Sequence, residues 1–375
     1  MLNLSACALA MVMVGYFACP AWSQDDPDIA SGFQVYGQIN RAIRHYDDGQ
    51  EEFTDVFIDN SKSVSRVGVT YDQSLDNGWQ FQSRAEIGLT WEETNEVSQD
   101  NPDPSAYEFN RQVLRKLEIS FTQPDIGTFF VGQGAMASDG VTGQDLSLTT
   151  VVAGAAVKDM AGGMYFRSTD GDLTRFRIQD RFRTLGSSRR LRLRFDTPVK
   201  NNISYSIAAG KEVLNDRDGR FYADAAVRYD ATKGDYRIKA AAALRWAGGN
   251  SDTNFQDEQI SLIGSGSVLH RPSRFNVTMA YGVEKDGGTY GYAKLGRRWY
   301  KLLPYGWTAA SIDYYVTEDG KTAEWTGDSV GIAVVQQFKE KNFDVYGAIR
   351  RYEYDDEDAD YFDSIAVLTG VRWRF

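Results

Sequence analysis

Along most of this chain apolar and polar residues alternate one by one, and that period of two restricts the fold to strands. From Trp79 to Trp91 one face reads Trp79, Phe81, Ser83, Ala85, Ile87, Leu89, Trp91 and the other Gln80, Gln82, Arg84, Glu86, Gly88, Thr90. A helix would mix the two sets. The pattern recurs at Tyr236–Trp246 and Phe275–Val283, and at Arg190–Phe195 Leu191, Leu193 and Phe195 alternate with arginines.

A soluble sandwich also alternates, so the direction of each face decides between the two architectures. In a sandwich the apolar face is the core; in a membrane barrel it meets lipid and the polar face lines a lumen. Aromatic residues bracket the stripes, as in Trp79 with Trp91 and Tyr236 with Trp246. At about 3.3 Å per residue and a tilt near 40°, such pairs lie roughly 25–30 Å apart along a membrane normal. The opposite faces carry full charges: Arg84, Glu86, Arg190, Arg192, Arg194, Arg237, Lys239 and Arg245. Tight turns at Asp76-Asn77-Gly78, Pro124–Gly127, Asp170-Gly171 and Lys233–Asp235 alternate with polar stretches such as 47–60, 92–108, 248–256 and 354–361. The expected fold is therefore all-β, a transmembrane antiparallel barrel. Direct counting gives about eighteen strands, with the segments near Tyr165 and Ile260 the weakest.

The first residues read as an address. Leu4 to Phe17 is almost unbroken apolar sequence, followed by Ala21 and Ser23 in a small-x-small pattern. This predicts a secretory signal over residues 1–23 and a barrel domain over 24–375. The apolar run is shorter than the about 20 residues a membrane helix needs. Both cysteines, Cys7 and Cys19, fall in that segment, so the remainder offers no disulfide, thiolate nucleophile or cysteine metal site. Only two histidines, His45 and His270, are available for catalysis, and the expectation is no enzyme, no cofactor and no metal centre. A cation at the acidic run Asp355–Asp360 is conceivable, although such loops are usually just solvated. A net charge of −11 argues against nucleic acid as a partner.

Three places carry a resemblance to the general porin family of Gram-negative bacteria. Ser63-Val-Ser-Arg66-Val-Gly68 followed by Asp76-Asn-Gly78-Trp-Gln-Phe-Gln-Ser-Arg84-Ala-Glu86 resembles that family's early hairpin. Lys116–Phe121 with Gly127–Gln133 resembles the strand pair leading into its constriction loop. Gly370-Val-Arg-Trp373-Arg-Phe375 resembles its C-terminal insertion signal, in which Trp373 and Phe375 share the face of Ile365, Val367 and Val371. The resemblance implies sixteen strands rather than eighteen, a homotrimer, an outer-membrane location and passive diffusion of small hydrophilic solutes and ions. It implies contact with outer-membrane lipid, lipopolysaccharide and the barrel-insertion machinery.

It also implies a long third loop folded into the lumen, here within Gly134–Gly162, bearing Asp139, Asp145 and Asp159. Opposite it the family sets a basic wall. Arg66 matches by motif, Arg84 and Lys116 face the lumen by parity, and Arg44 joins them; Arg41 has the wrong parity unless its strand bulges. Acids on the loop and bases on the wall would set a transverse field that admits polar solutes and biases ions. A second set, Arg175, Arg177, Arg181, Arg190, Arg192 and Arg194, has lumen parity and could form an anion ladder on adjacent strands. It could equally balance lumen acids such as Asp224 or bind lipopolysaccharide phosphates. A channel selective for an anion, sugar or organic acid is the alternative reading; a barrel hydrolase and a soluble sandwich are the rivals.

Overall fold

The computed structural model describes residues 31–89, 91–104, 109–215, 218–249, 257–319 and 325–375. The proposed signal segment, with Cys7 and Cys19, lies outside them. Strands dominate: β1 (Gly32–Asp47), β2 (Glu52–Asp59), β3 (Arg66–Ser74), β4 (Gln80–Gly88), β5 (Leu114–Gln123), β6 (Gly127–Ala135), β7 (Tyr165–Arg167), β8 (Leu173–Arg177), β9 (Arg189–Asp196) and β10 (Ile203–Lys211). They continue with β11 (Phe221–Lys233), β12 (Tyr236–Ala247), β13 (Gln259–His270), β14 (Phe275–Glu284), β15 (Thr289–Tyr300), β16 (Trp307–Glu318), β17 (Thr326–Phe338), β18 (Phe343–Asp355) and β19 (Ser364–Arg374).

Sixteen of these make a closed antiparallel barrel: β1, β3–β6 and β9–β19 pair in succession, and β19 returns to β1 from Gln38–Arg374 to Asp47–Ile365. Closure leaves no unpaired sheet edge to face lipid. The seventeenth, β2, is an insert. The first half of β1 pairs with β3, and its second half, Arg41–Asp47, pairs with β2.

The count of eighteen is thus corrected to sixteen. The Tyr165 segment does alternate, but it forms the hairpin β7–β8, a separate two-stranded sheet inside a loop. Ile260, the other weak segment, belongs to the full wall strand β13. The Trp79–Trp91 stripe is shorter than its alternation suggests: β4 stops at Gly88, and Trp91 lies beyond the strand.

Direction follows parity. On β9, Leu191 and Leu193 are exposed on the outside while Arg190 and Arg192 are enclosed. On β12, Tyr236, Leu244 and Trp246 are exposed and Arg245 is buried. The apolar stripes therefore lie on the exterior, where exposure to water would be costly and exposure to lipid is not. Connections at one end are short; those at the other include the loops 89–113, 136–188, 212–220 and 356–363.

Candidate functional site

The loop between β6 and β9, residues 136–188, does not stand above the barrel. It enters the lumen and is fastened to the inner face of successive strands. The Ala137 and Ser138 amides donate to Asp224 of β11 at 3.0 and 2.9 Å, and Arg228 donates to the carbonyls of Ala137 and Asp139. The Gln144 and Leu146 amides donate to the hydroxyls of Ser265 and Ser267 on β13 at 3.1 and 3.0 Å. Thr149 meets Ser311 of β16 at 2.8 Å, Asn60 donates to the Val151 carbonyl at 2.9 Å, and Tyr352 of β18 donates to that of Val157 at 2.7 Å. Backbone polar groups placed in a lumen need such partners or water. Small residues allow this close seating: Ala153, Ala155 and Ala161 are buried in one apolar cluster with wall tyrosines such as Tyr292, Tyr315, Tyr346 and Tyr352.

One tether stands out. Lys294 of β15 is fully buried, and its ammonium lies 2.7 Å from Asp145, 3.2 Å from Ser147 Oγ, 3.1 Å from Thr149 Oγ1 and 3.1 Å from the Ala153 carbonyl. Burial pushes the Asp145 carboxyl up, but the Lys294 charge and the Ser147 donors outweigh it and hold it below its ordinary range. Asp159 is likewise paired, with Lys62 at 3.3 Å. Of the three loop acids, only Asp139 has no cation within ion-pair distance among the described residues.

Arg66, Arg84 and Lys116 come together on the inner face of β3–β5. Arg66 lies 3.8 Å from Glu86, Arg84 donates to Gln82 at 3.0 Å, and Lys116 stands 3.9 Å from Glu118. Their strands set Thr70 opposite Arg84 and Glu86 opposite Lys116. Arg115 joins them, 2.6 Å from Glu86. By simple alternation Arg115 would face outward; a bulge between Glu86 and Ile87 turns it in, and no residue type announces that bulge. Among the described residues of this stretch four cations accompany three carboxylates: Glu86, Glu118 and Asp72, which accepts from Gln82 at 2.6 Å.

The ladder splits. Arg190, Arg192 and Arg194 do share the lumen face of β9, but each is engaged. Arg190 is paired with Glu212 at 3.3 Å, Arg192 with Glu118, and Arg194 with Asp196 at 2.8 Å. The Glu118–Arg192 pair passes directly over Gly134, where any Cβ would collide with both side chains. Arg175, Arg177 and Arg181 are not on neighbouring wall strands. β8 belongs to the loop hairpin; Arg175 is exposed there, Arg177 lies 3.8 Å from Glu96, and Arg181 stacks on Phe176 and Trp325. The alternation of 173–177 was real, but its sheet has two strands.

Arg44 also departs from the basic wall. It is fully buried, paired with Asp55 at 2.7 Å, and donates to the carbonyls of Thr94 and Val97. The loop 89–113 folds over it, which parity cannot foresee. Arg41 keeps its outward parity and is covered by Trp91 and Phe57, with Asp59 at 3.6 Å. The same loop clasps the infolded one: Thr94 Oγ1 donates to the Asp159 carbonyl at 2.6 Å and the Gly163 amide to that of Thr94 at 3.1 Å. Within it, burial and the nearby Asp59 and Glu96 carboxylates push Glu93 up to about 7.

The terminal residues close the barrel. Trp373 and Phe375 pack ring to ring, 5.1 Å apart, and the Phe375 amide and carbonyl bond to Gly37 of β1. The histidines lie on different strands, β1 and β13. His45 meets Thr54 at 3.0 Å, and His270 meets Ser273 at 2.7 Å in an exposed turn. Asp356 in the acidic run already accepts from both Tyr354 and Tyr361 and from the amides of Asp358 and Ala359.

The family model for Gram-negative porin matches residues 6–357. No curated protein sequence matches the chain. Among solved structures, an anion-selective porin from Comamonas acidovorans superposes with a TM-score of 0.61 at 12% identity, covering 92% of this chain and all of that one. Pseudomonas putida OprB gives 0.59 at 7% identity, covering 92% and 94%. OmpF of Salmonella typhi, solved with daunomycin, gives 0.58 at 10% identity, covering 92% and 98%. At these identities the likeness is one of fold.

Proposed function

The chain belongs to the Gram-negative porin family, and on that premise we propose that its outer-membrane channel, which passes small hydrophilic solutes by passive diffusion, favours anions. The observation that carries this reading is the imbalance across the lumen. Arg66, Arg84, Arg115 and Lys116 outnumber Asp72, Glu86 and Glu118, while Lys294 and Lys62 neutralise Asp145 and Asp159 on the facing loop. A water-filled passage lined by surplus positive charge concentrates anions and repels cations. The engaged arginines of β9 extend the same potential without leaving a free ladder.

Arg84 and Lys116 are the residues assigned to anion preference, with Asp139 the acid left to oppose them. The zero-current potential of the refolded protein in a potassium chloride gradient tests this. Anion preference is expected, and the R84Q/K116Q pair should move the potential toward zero. Cation preference in the unsubstituted protein would overturn it.

The family and fold work as channels rather than enzymes, and we assign no hydrolytic role to His45 or His270. Residues 1–23 are proposed as the cleaved secretory signal. Trp373 and Phe375 are proposed as the signal read by the insertion machinery, and lipopolysaccharide as a neighbour at the long-loop end. A homotrimer is proposed from the trimeric form solved for OmpT of Vibrio cholerae, whose fold this chain shares; cross-linking in outer membranes tests it.

A further inference from the structure

The short turn joining β15 to β16 has the wrong composition for one that merely dips into water. It reads Lys301-Leu302-Leu303-Pro304-Tyr305-Gly306, with Leu302 61%, Leu303 49% and Tyr305 67% exposed. No other described turn at this end of the barrel exposes three large apolar side chains.

Its position is fixed by an inversion on the neighbouring strand. Val330, Ile332 and Val334 of β17 point outward and are exposed. Gln336 has the same parity, yet it is buried. What covers it is the turn: Gln336 Nε2 donates to the Tyr305 carbonyl at 2.6 Å, and Thr308 Oγ1 donates to Gln336 Oε1 at 2.5 Å. The Lys301 amide closes the turn on the Gly306 carbonyl at 3.0 Å. Gly306 has φ +81°, and a Cβ there would collide with the Gln337 carbonyl, so the chain lies flat against the strand. The turn therefore curls onto the lipid side of the barrel wall instead of across the mouth.

Cations surround it. Arg297 shares the outward face of Leu295 and is itself exposed, with its guanidinium 4.8 Å from the Phe275 ring and 5.2 Å from that of Trp299. Lys301 sits 5.3 Å from the Tyr300 ring, and Arg274 lies 5.4 Å from that of Trp307. Among the described residues no acidic side chain is paired with any of the three. An outward arginine is costly in hydrocarbon but favourable at headgroup depth, where its stem lies on apolar surface and its charge meets phosphate. Aromatic rings at the same level mark that depth.

We propose that this turn is a foot set into the short-turn leaflet, binding an anionic phospholipid. Leu302, Leu303 and Tyr305 enter the acyl boundary while Arg297 and Lys301, with Arg274 beside them, hold the headgroup phosphate. Exposed apolar side chains next to unpaired cations, continuous with the lipid-facing band, are the combination that interfacial segments use. A water-exposed protein partner would not require the turn to lie against the outer wall.

The full chain, with Cys7 and Cys19 replaced by Ser, is labelled with bimane at Leu303→Cys or at Asn77→Cys in the polar β3–β4 turn. Each is refolded into phosphatidylcholine vesicles with and without phosphatidylglycerol. The label at 303 should be blue-shifted and about tenfold less quenched by iodide than that at 77. Phosphatidylglycerol retained through detergent washing, read by native mass spectrometry, should fall about fivefold for each basic residue removed, hence about 25-fold in R297Q/K301Q, with phosphatidylcholine unchanged. Equal iodide quenching at 303 and 77 overturns the foot, and unchanged phosphatidylglycerol retention in R297Q/K301Q overturns the headgroup site. Shielding of the label only on addition of a soluble protein would assign the turn to a protein partner instead.

Discussion

Replacing Lys294 by Met should turn a steady channel into a flickering one. The ammonium is fully buried and serves four oxygen acceptors on the infolded loop, including the Asp145 carboxylate at 2.7 Å. Methionine fills the volume but supplies no donor, so Asp145 is left charged without a cation. Breaking a buried pair in this way costs about 3–5 kcal/mol. Tethers that remain on this stretch include the bonds of Gln144 to Ser265, Leu146 to Ser267 and Arg298, Thr149 to Ser311, Asn60 to Val151 and Tyr352 to Val157, with the Lys62–Asp159 pair beyond them. At about 0.5–1.5 kcal/mol each, their sum is of the same order as the loss. The released position should then be populated measurably beside the seated one.

Single-channel recording in planar bilayers reads this as two conductance levels, the higher one belonging to the released loop. K294M/D145N, which removes the orphaned charge as well, should return most of the trace to one level. A K294M channel with one level of unchanged size would refute the argument that this pair holds the loop. The sign of the pH effect follows from the lowered Asp145 carboxyl. Its stabilisation is present above the ordinary carboxylate value near 4 and is lost as pH falls through the depressed one. Unsubstituted channels should therefore flicker only below pH 4.

Further outcomes follow from neighbouring parts of the lumen. Glu93, raised to about 7, gives the clasp of loop 89–113 stability that is full below its unfolded value near 4.5 and declines as pH rises through 7. Hydrogen exchange at Thr94 and Asn95, corrected for intrinsic rates, should be faster at pH 8 than at pH 5, and E93Q should abolish the difference. Gly134→Val should separate Glu118 from Arg192 and lower conductance, measurable beside an unchanged heat-modifiable gel shift. Arg44→Met leaves Asp55 without its buried cation; a loss of about 3–5 kcal/mol should appear as a lowered urea midpoint, with little change in ion preference, since Arg44 is off the open wall.

Parity made the barrel legible because the wall strands follow it over most of their length: Leu193 out and Arg192 in on β9 needs nothing beyond a period of two. Parity failed where the backbone left the ladder. Arg115 reaches the lumen through a bulge, and Arg44 is hidden by a loop that begins some 45 residues later in sequence. The 165–177 hairpin alternates like a wall strand because two-stranded sheets have the same period, which inflated the strand count. The partners of the loop acids were beyond reach altogether. Asp145 and Lys294 are 149 residues apart, and only the closed barrel brings them together.

Two adjacent residues on β9 test the inside-out assignment most directly. Leu193→Cys and Arg194→Cys, in a chain without Cys7 and Cys19, are refolded into bilayers and treated with a membrane-impermeant, charged thiol reagent. Arg194→Cys should react and change the current, while Leu193→Cys stays unmodified and silent. Rapid modification at 193 with protection at 194 would place the apolar stripe in water, and the channel account would fail.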